Sequence, residues 1–108
     1  HQFDIKQGVG GIADIEFMVQ YAVLRWACDF PELTEWSDNA RILEVLASQA
    51  LLPNDLAEQL LKAYRTYRGE YHRLALQQEK GLVSREFFDS ERKRVTGAWQ
   101  MLMLDSAS

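Results

Sequence analysis

Residues 3–26 read F-D-I-K-Q-G-V-G-G-I-A-D-I-E-F-M-V-Q-Y-A-V-L-R-W. From Ile12 onward the apolar side chains recur at spacings of three and four. Ile12, Ile15, Val19, Ala22 and Trp26 form the stripe, and Met18 and Val23 widen it. That is the period of a helix burying one face. It predicts a helix from about Gly11 to Asp29, stopped ahead of Pro31. Just before it stand Gly8, Gly10 and Gly11. Glycine enters positive φ without steric cost and lets another backbone or a phosphate come close. The segment therefore reads as a glycine turn feeding a long amphipathic helix.

Three more helices follow by the same reasoning. Ser37 is a good N-cap, with Asp38 in the first turn, where the helix dipole favours a negative charge. Trp36 would act as a hydrophobic staple there, and Ile42, Leu43, Leu46, Ala47 and Ala50 make the stripe. Pro53 separates this helix from the next, which Asn54 or Asp55 caps, with Glu58 placed to close a capping box on Asp55. Leu56, Leu60, Tyr64, Tyr67, Tyr71 and Leu74 line its buried face, the tyrosines as core residues with hydroxyls at the rim. Gly69 inside that run costs about 1 kcal/mol relative to alanine, which suggests a close contact there. Gly81 reads as a stop and Ser84 as the cap of a fourth helix, buried through Phe88, Val95, Trp99 and Leu102. Ile5 lies in a short extended piece, too short to stand alone as a sheet. The expected fold is all-α, an antiparallel four- to five-helix bundle.

Composition narrows the function. At 108 residues and 47% apolar, the chain has the makings of one domain with a real core. A formal net charge of −4 argues against general nucleic-acid binding, which needs a basic surface. The lone Cys28, set in an apolar helical pattern, has no internal partner for a disulfide, as suits a reducing cytoplasm. No apolar run approaches the roughly 18–20 residues of a membrane span, and no secretory leader is legible.

The candidate chemistry gathers at the glycine turn. Lys6 and the backbone N–H groups near Gly8, Gly10 and Gly11 could face a phosphate beside a helix start. The spacing matches neither a Walker A loop nor a dinucleotide fingerprint, and a plain packed loop is the alternative. Asp14 and Glu16, two apart, point about 200° away from each other on a regular helix and cannot share one metal ion. One of them suits the helix dipole. The other, if half-buried, needs a cationic partner, for which Arg25 and Arg41 are candidates. Arg65, Arg68 and His72 share a face of the third helix and could bind an acidic partner, or be a solvated stripe. There is no Cys/His metal-ligand spacing and no nucleophile constellation.

Phe3-Asp4-Ile5-Lys6, followed by Gly10-Gly11-Ile12-x-Asp14-Ile15-Glu16-Phe17, resembles the signature of the bacterial glutamine synthetase adenylyltransferases. The uridylyltransferases of the PII protein carry a looser version. The resemblance continues through Trp36-Ser37-Asp38-Asn39, Arg41-Ile42-Leu43-Glu44, Ala63-Tyr64, Arg68, His72 and Trp99-Gln100, nearly the whole chain. It is strongest to the helical domain ending the adenylylating half. It implies an enzyme that transfers AMP from ATP to a tyrosine of glutamine synthetase in nitrogen regulation. The Gly-Ser and Asp-x-Asp elements that bind two magnesium ions in that family are missing here. The resemblance therefore implies no catalytic residue and no metal ligand in this chain, and an inactive fragment when isolated. ATP and Mg2+ would serve the whole enzyme, with none expected bound to this part. Residues 1–11 would be the junction with a catalytic nucleotidyltransferase domain, 12–104 the bundle and 105–108 a frayed tail. Lys6, Gly8, Gly10, Gly11, Asp14 and Glu16 would serve nucleotide binding or the junction. Expected partners are that catalytic domain, glutamine synthetase and the PII protein, with neither nucleic acid nor membrane. The alternative is a helical module that docks glutamine synthetase or a PII regulator through Arg65, Arg68 and His72.

Overall fold

A computed structural model describes residues 2–35 and 37–104, with backbone alone at Leu104. Strand β1 (Gln2–Asp4) leads through the glycine turn into α1 (Ile12–Trp26). A 3-10 turn at Pro31–Thr34 precedes α2 (Asn39–Ser48) and α3 (Asn54–Leu76). Strand β2 (Leu82–Ser84) then leads to α4 (Asp89–Trp99), which widens into a π-helical stretch at Gln100–Leu104. Trp36 and the tail 105–108, expected as a staple and as frayed, lie outside the described residues.

Helix α3 is the axis, running against the other three. Tyr64 near its middle meets Glu16 and Asn39, at the starts of α1 and α2. Leu56 near its beginning lies beside Trp26 and Leu102, at the far ends of α1 and α4. Helices α1, α2 and α4 are thus mutually parallel, and residues 27–35 lie on the return from the end of α1 toward the start of α2. Leu33, with no exposed surface, pins that return. The predicted stripes make the core: Ile12, Ile15, Met18, Val19 and Ala22 of α1 face Ile42, Leu43 and Leu46 of α2 across Leu56, Leu60 and Tyr67 of α3. Each such aliphatic side chain contributes about 1.5–3 kcal/mol by leaving water.

Helix boundaries depart from the sequence reading for local reasons. The cap of α2 is Asp38, not Ser37; its Oδ1 accepts from the Ala40 N–H at 3.0 Å. Pro53 starts α3 with no side-chain cap, and the Asp55 carboxylate reaches only the neighbouring Leu56 N–H, so no capping box forms. Ala50 lies beyond α2 in a left-handed conformation at φ 55° and is exposed. The Leu51 N–H donates to the Leu46 carbonyl at 3.0 Å, the signature of a Schellman stop. Gln78, at φ 57°, ends α3 the same way, with the Glu79 N–H on the Leu74 carbonyl at 2.8 Å. Cys28 falls after α1 and is exposed rather than part of an apolar helical face.

The short extended piece has a partner after all. β1 and β2 pair antiparallel, Phe3 opposite Val83, and the Ile5 N–H continues the ladder to the Gly81 carbonyl at 2.9 Å. Ser84 therefore ends a strand instead of capping a helix, and α4 begins five residues later after Phe88 in a left-handed conformation. Gly81 packs under a ring: a Cβ there would lie 2.7 Å from Tyr71. Gly69 has nothing within 4 Å of the place a Cβ would take, so no close contact is found there among the described residues.

Tyr67 is fully buried, its ring 5.9 Å from that of Phe3 and edge-on to Phe88 at 5.4 Å. Its hydroxyl is not at the rim, and it finds no hydrogen-bond partner among the described residues. Burial, reinforced by the Glu91 charge and opposed by Arg92, pushes its ionisation well above the ordinary tyrosine range.

Tyr67→Phe removes a buried hydroxyl whose desolvation is uncompensated, so stability in urea stays level or rises by about 1 kcal/mol at pH 7, whereas Tyr67→Ala costs about 3–5 kcal/mol. Because folding raises this pKa, wild-type stability is unaffected by this group below pH 10 and falls as pH climbs beyond it, a loss that Tyr67→Phe does not share. Gln78→Gly relieves a left-handed side chain and raises the unfolding free energy by about 0.5–1 kcal/mol in the same assay.

Candidate functional site

The turn between β1 and α1 is built from the Asp4 side chain outward. Asp4 Oδ1 accepts from the N–H groups of Lys6 and Gln7, both at 3.0 Å. The Gly8 N–H donates to the Asp4 carbonyl at 2.8 Å and the Gly11 N–H to the Gly8 carbonyl at 2.9 Å. Ile12 and Ala13 donate back to the carbonyls of Ile5 and Lys6, each at 2.9 Å. The Gly10 N–H is held by Asp14 Oδ2 at 2.7 Å. A Cβ on Gly8 would sit 2.6 Å from the Asp4 carbonyl oxygen, and one on Gly11 2.5 Å from that of Ile5. Gly10 has φ +82° and lies against the Arg92 backbone. All three glycines are thus required by the turn's own geometry.

This accounting bears on the phosphate reading. The N–H groups of Lys6, Gln7, Gly8, Gly10, Gly11, Ile12 and Ala13 already donate within the chain. A phosphate cradle needs several such donors aimed outward. The Lys6 ammonium stays exposed, 5.9 Å from the centre of the Tyr71 ring. Val9, at the tip, is 68% exposed and presents an apolar side chain to the surroundings.

Asp14 and Glu16 diverge as the helical spacing requires. Asp14 turns back to Gly10. Glu16 Oε2 accepts from the Tyr64 hydroxyl and from Asn39 Nδ2, each at 3.4 Å, tying α1 to α2 and α3. The cationic partner sought for a half-buried acid is replaced by these neutral donors. Arg25 instead stacks on Trp26 at 5.1 Å and donates to the Tyr21 hydroxyl, while Arg41 pairs with Glu44 at 3.4 Å. Two carboxylates engaged on separate partners do not make an oxygen cage for magnesium. Asp14 and Glu16 therefore form no shared magnesium site in this chain.

Arg92 escaped the sequence reading. Its guanidinium lies 4.3 Å above the Phe3 ring, and its Nε and Nη1 donate to the carbonyls of Val9 at 3.5 Å and Arg85 at 3.3 Å. Nothing local marks it, since Phe3 and Val9 lie more than 80 residues away in sequence. On α3, Arg65 pairs with Glu44 at 3.4 Å. Arg68 and His72 are exposed and have no ion-pair partner among the described residues. The Arg73 guanidinium forks onto both oxygens of Glu70 at 2.6 and 2.8 Å, and these hydrogen bonds hold the Glu70 carboxyl below the usual range.

The family model described as GlnD PII-uridylyltransferase matches residues 1–101. The bifunctional glutamine synthetase adenylyltransferase/adenylyl-removing enzyme of Pseudomonas aeruginosa is 51% identical over 102 residues, 94% of this chain and 10% of that protein. The chain thus spans about a tenth of the length of the curated relative it matches. With the match running from β1 through the glycine turn and all four helices into the π-helical stretch, the chain belongs to the GlnD PII-uridylyltransferase family, and within it is similar to the glutamine synthetase adenylyltransferases.

Proposed function

We propose that this chain is a helical companion domain of an enzyme that transfers AMP from ATP to a tyrosine of glutamine synthetase, placed at the end of its adenylylating half. The observation that carries this reading is the 51% identity spread over almost the whole chain to a tenth of such an enzyme. In this reading ATP and Mg2+ belong to a catalytic nucleotidyltransferase domain outside the sequence, because the acids present here are engaged elsewhere. The setting is the cytoplasm; no described helix is long and apolar enough to cross a membrane.

Residues 2–11 are the seam with that catalytic domain. The turn is internally satisfied and pinned by Arg92, so it presents a rigid edge. Val9 and Phe87, 68% and 57% exposed, offer apolar surface on that edge, and Lys6 offers a cation. Burial of such side chains against a neighbour is favourable at about 25 cal/mol per Å². Asp14 acts as a positioning residue through Gly10, and Lys6 faces the nucleotide cleft across the seam.

The test uses the full-length enzyme with Lys6→Ala and Asp14→Asn. Asparagine accepts from the Gly10 N–H only as a neutral amide, which weakens the charge-assisted bond that positions the turn while leaving the fold intact. AMP transfer to glutamine synthetase is expected to fall in both variants with Tm within about 2 °C of wild type, a shift worth less than 1 kcal/mol. Unchanged transfer in both overturns the seam assignment.

A further inference from the structure

Glycine in the interior of an exposed helix costs about 1 kcal/mol relative to alanine and needs a reason. Gly69 sits well inside α3, is exposed, and has nothing within 4 Å of its missing Cβ. No contact among the described residues explains it. The other open glycine, Gly97, has a local reason: it stands three residues before α4 widens into its π-helical stretch. Regular helix continues on both sides of Gly69.

The surroundings of Gly69 say what it could admit. Lys62, Arg65, Arg68 and His72 follow at spacings of three and four, all exposed, and so share the outer face of α3 with the glycine. Only Arg65 among these four has an ion-pair partner among the described residues. This cationic strip belongs to a chain whose net charge is −4. Leu76, 73% exposed, closes the strip at the end of the helix. From Lys62 to His72 the rise is about 15 Å, a short footprint. Glu44 and Glu58 flank it and bound the positive charge to this footprint, too short to track a continuous phosphate chain. An apolar anchor beside compact positive charge suits an acidic protein surface.

We propose that the outer face of α3 docks an acidic surface of the protein substrate, with partner backbone seated against Gly69 between Arg65, Arg68 and His72. This rests on the reading above, in which that substrate is glutamine synthetase. The face is separate from the glycine-turn seam, so the catalytic domain and the substrate meet the helical domain on different elements.

The experiment uses the full-length enzyme and purified glutamine synthetase. Gly69→Trp fills space that the fold leaves open, and Gly97→Trp on α4 is the control. Kd by biolayer interferometry and KM for glutamine synthetase are each expected to rise at least tenfold in Gly69→Trp, with Tm equal or higher. Arg68→Glu is expected to weaken binding and flatten its dependence on salt. Gly97→Trp is expected to bind as wild type. Equal Kd for wild type and Gly69→Trp, equal weakening by Gly97→Trp, or displacement of glutamine synthetase by an oligonucleotide overturns the docking face. A wild-type enzyme that binds glutamine synthetase through Gly69 yet transfers no AMP overturns the proposed reaction alone.

Discussion

The ring of Phe3 is held between the Tyr67 ring and the Arg92 guanidinium, and the geometry of the candidate site depends on that seat. It joins β1, α3 and the start of α4, three elements with no short connection between them. Phe3 is 2% exposed, so the ring is a core member although it belongs to the edge ribbon. With Phe3 in place, β1 can pair with β2, and Arg92 comes within reach of the Val9 carbonyl. Stacking of a cation on the ring adds about 0.5–2 kcal/mol to the burial of the ring itself.

From this seat the turn follows. Its polar atoms are satisfied within the chain, by Asp4 at one end and Asp14 at the other. A loop closed in this way is a spacer of fixed shape more than a receptor. The apolar Val9 tip and Lys6 are thereby held exposed on a turn of fixed shape.

Much of this was legible in the sequence. The period of Ile12, Ile15, Val19 and Ala22, and that of Leu56, Leu60 and Tyr67, gave two helices and their buried faces. Asp14 and Glu16 were separable from spacing alone. What escaped was non-local. The partner of β1 lies some 80 residues away, so Ser84 looked like a helix cap when it was the end of a strand. Arg92 could not be told from any other surface arginine. A half-buried acid of this pair was expected to need a cationic partner, but for Glu16 a tyrosine hydroxyl and an asparagine amide suffice, since the carboxylate keeps some contact with water. Gln78 and Ala50 stop helices without the glycine that usually marks such stops, so those ends had no local signature.

The ribbon between β1 and β2 carries one more implication. It closes a loop through most of the polypeptide, whereas α2 and α3 meet across a connection of a few residues. Nearby contacts form before distant ones, because bringing remote segments together costs chain entropy first. During synthesis on the ribosome, Phe3 waits without its strand partner until Val83 has emerged. The ribbon beside the glycine turn therefore closes only after α1, α2 and α3 have all emerged and can already have condensed on one another.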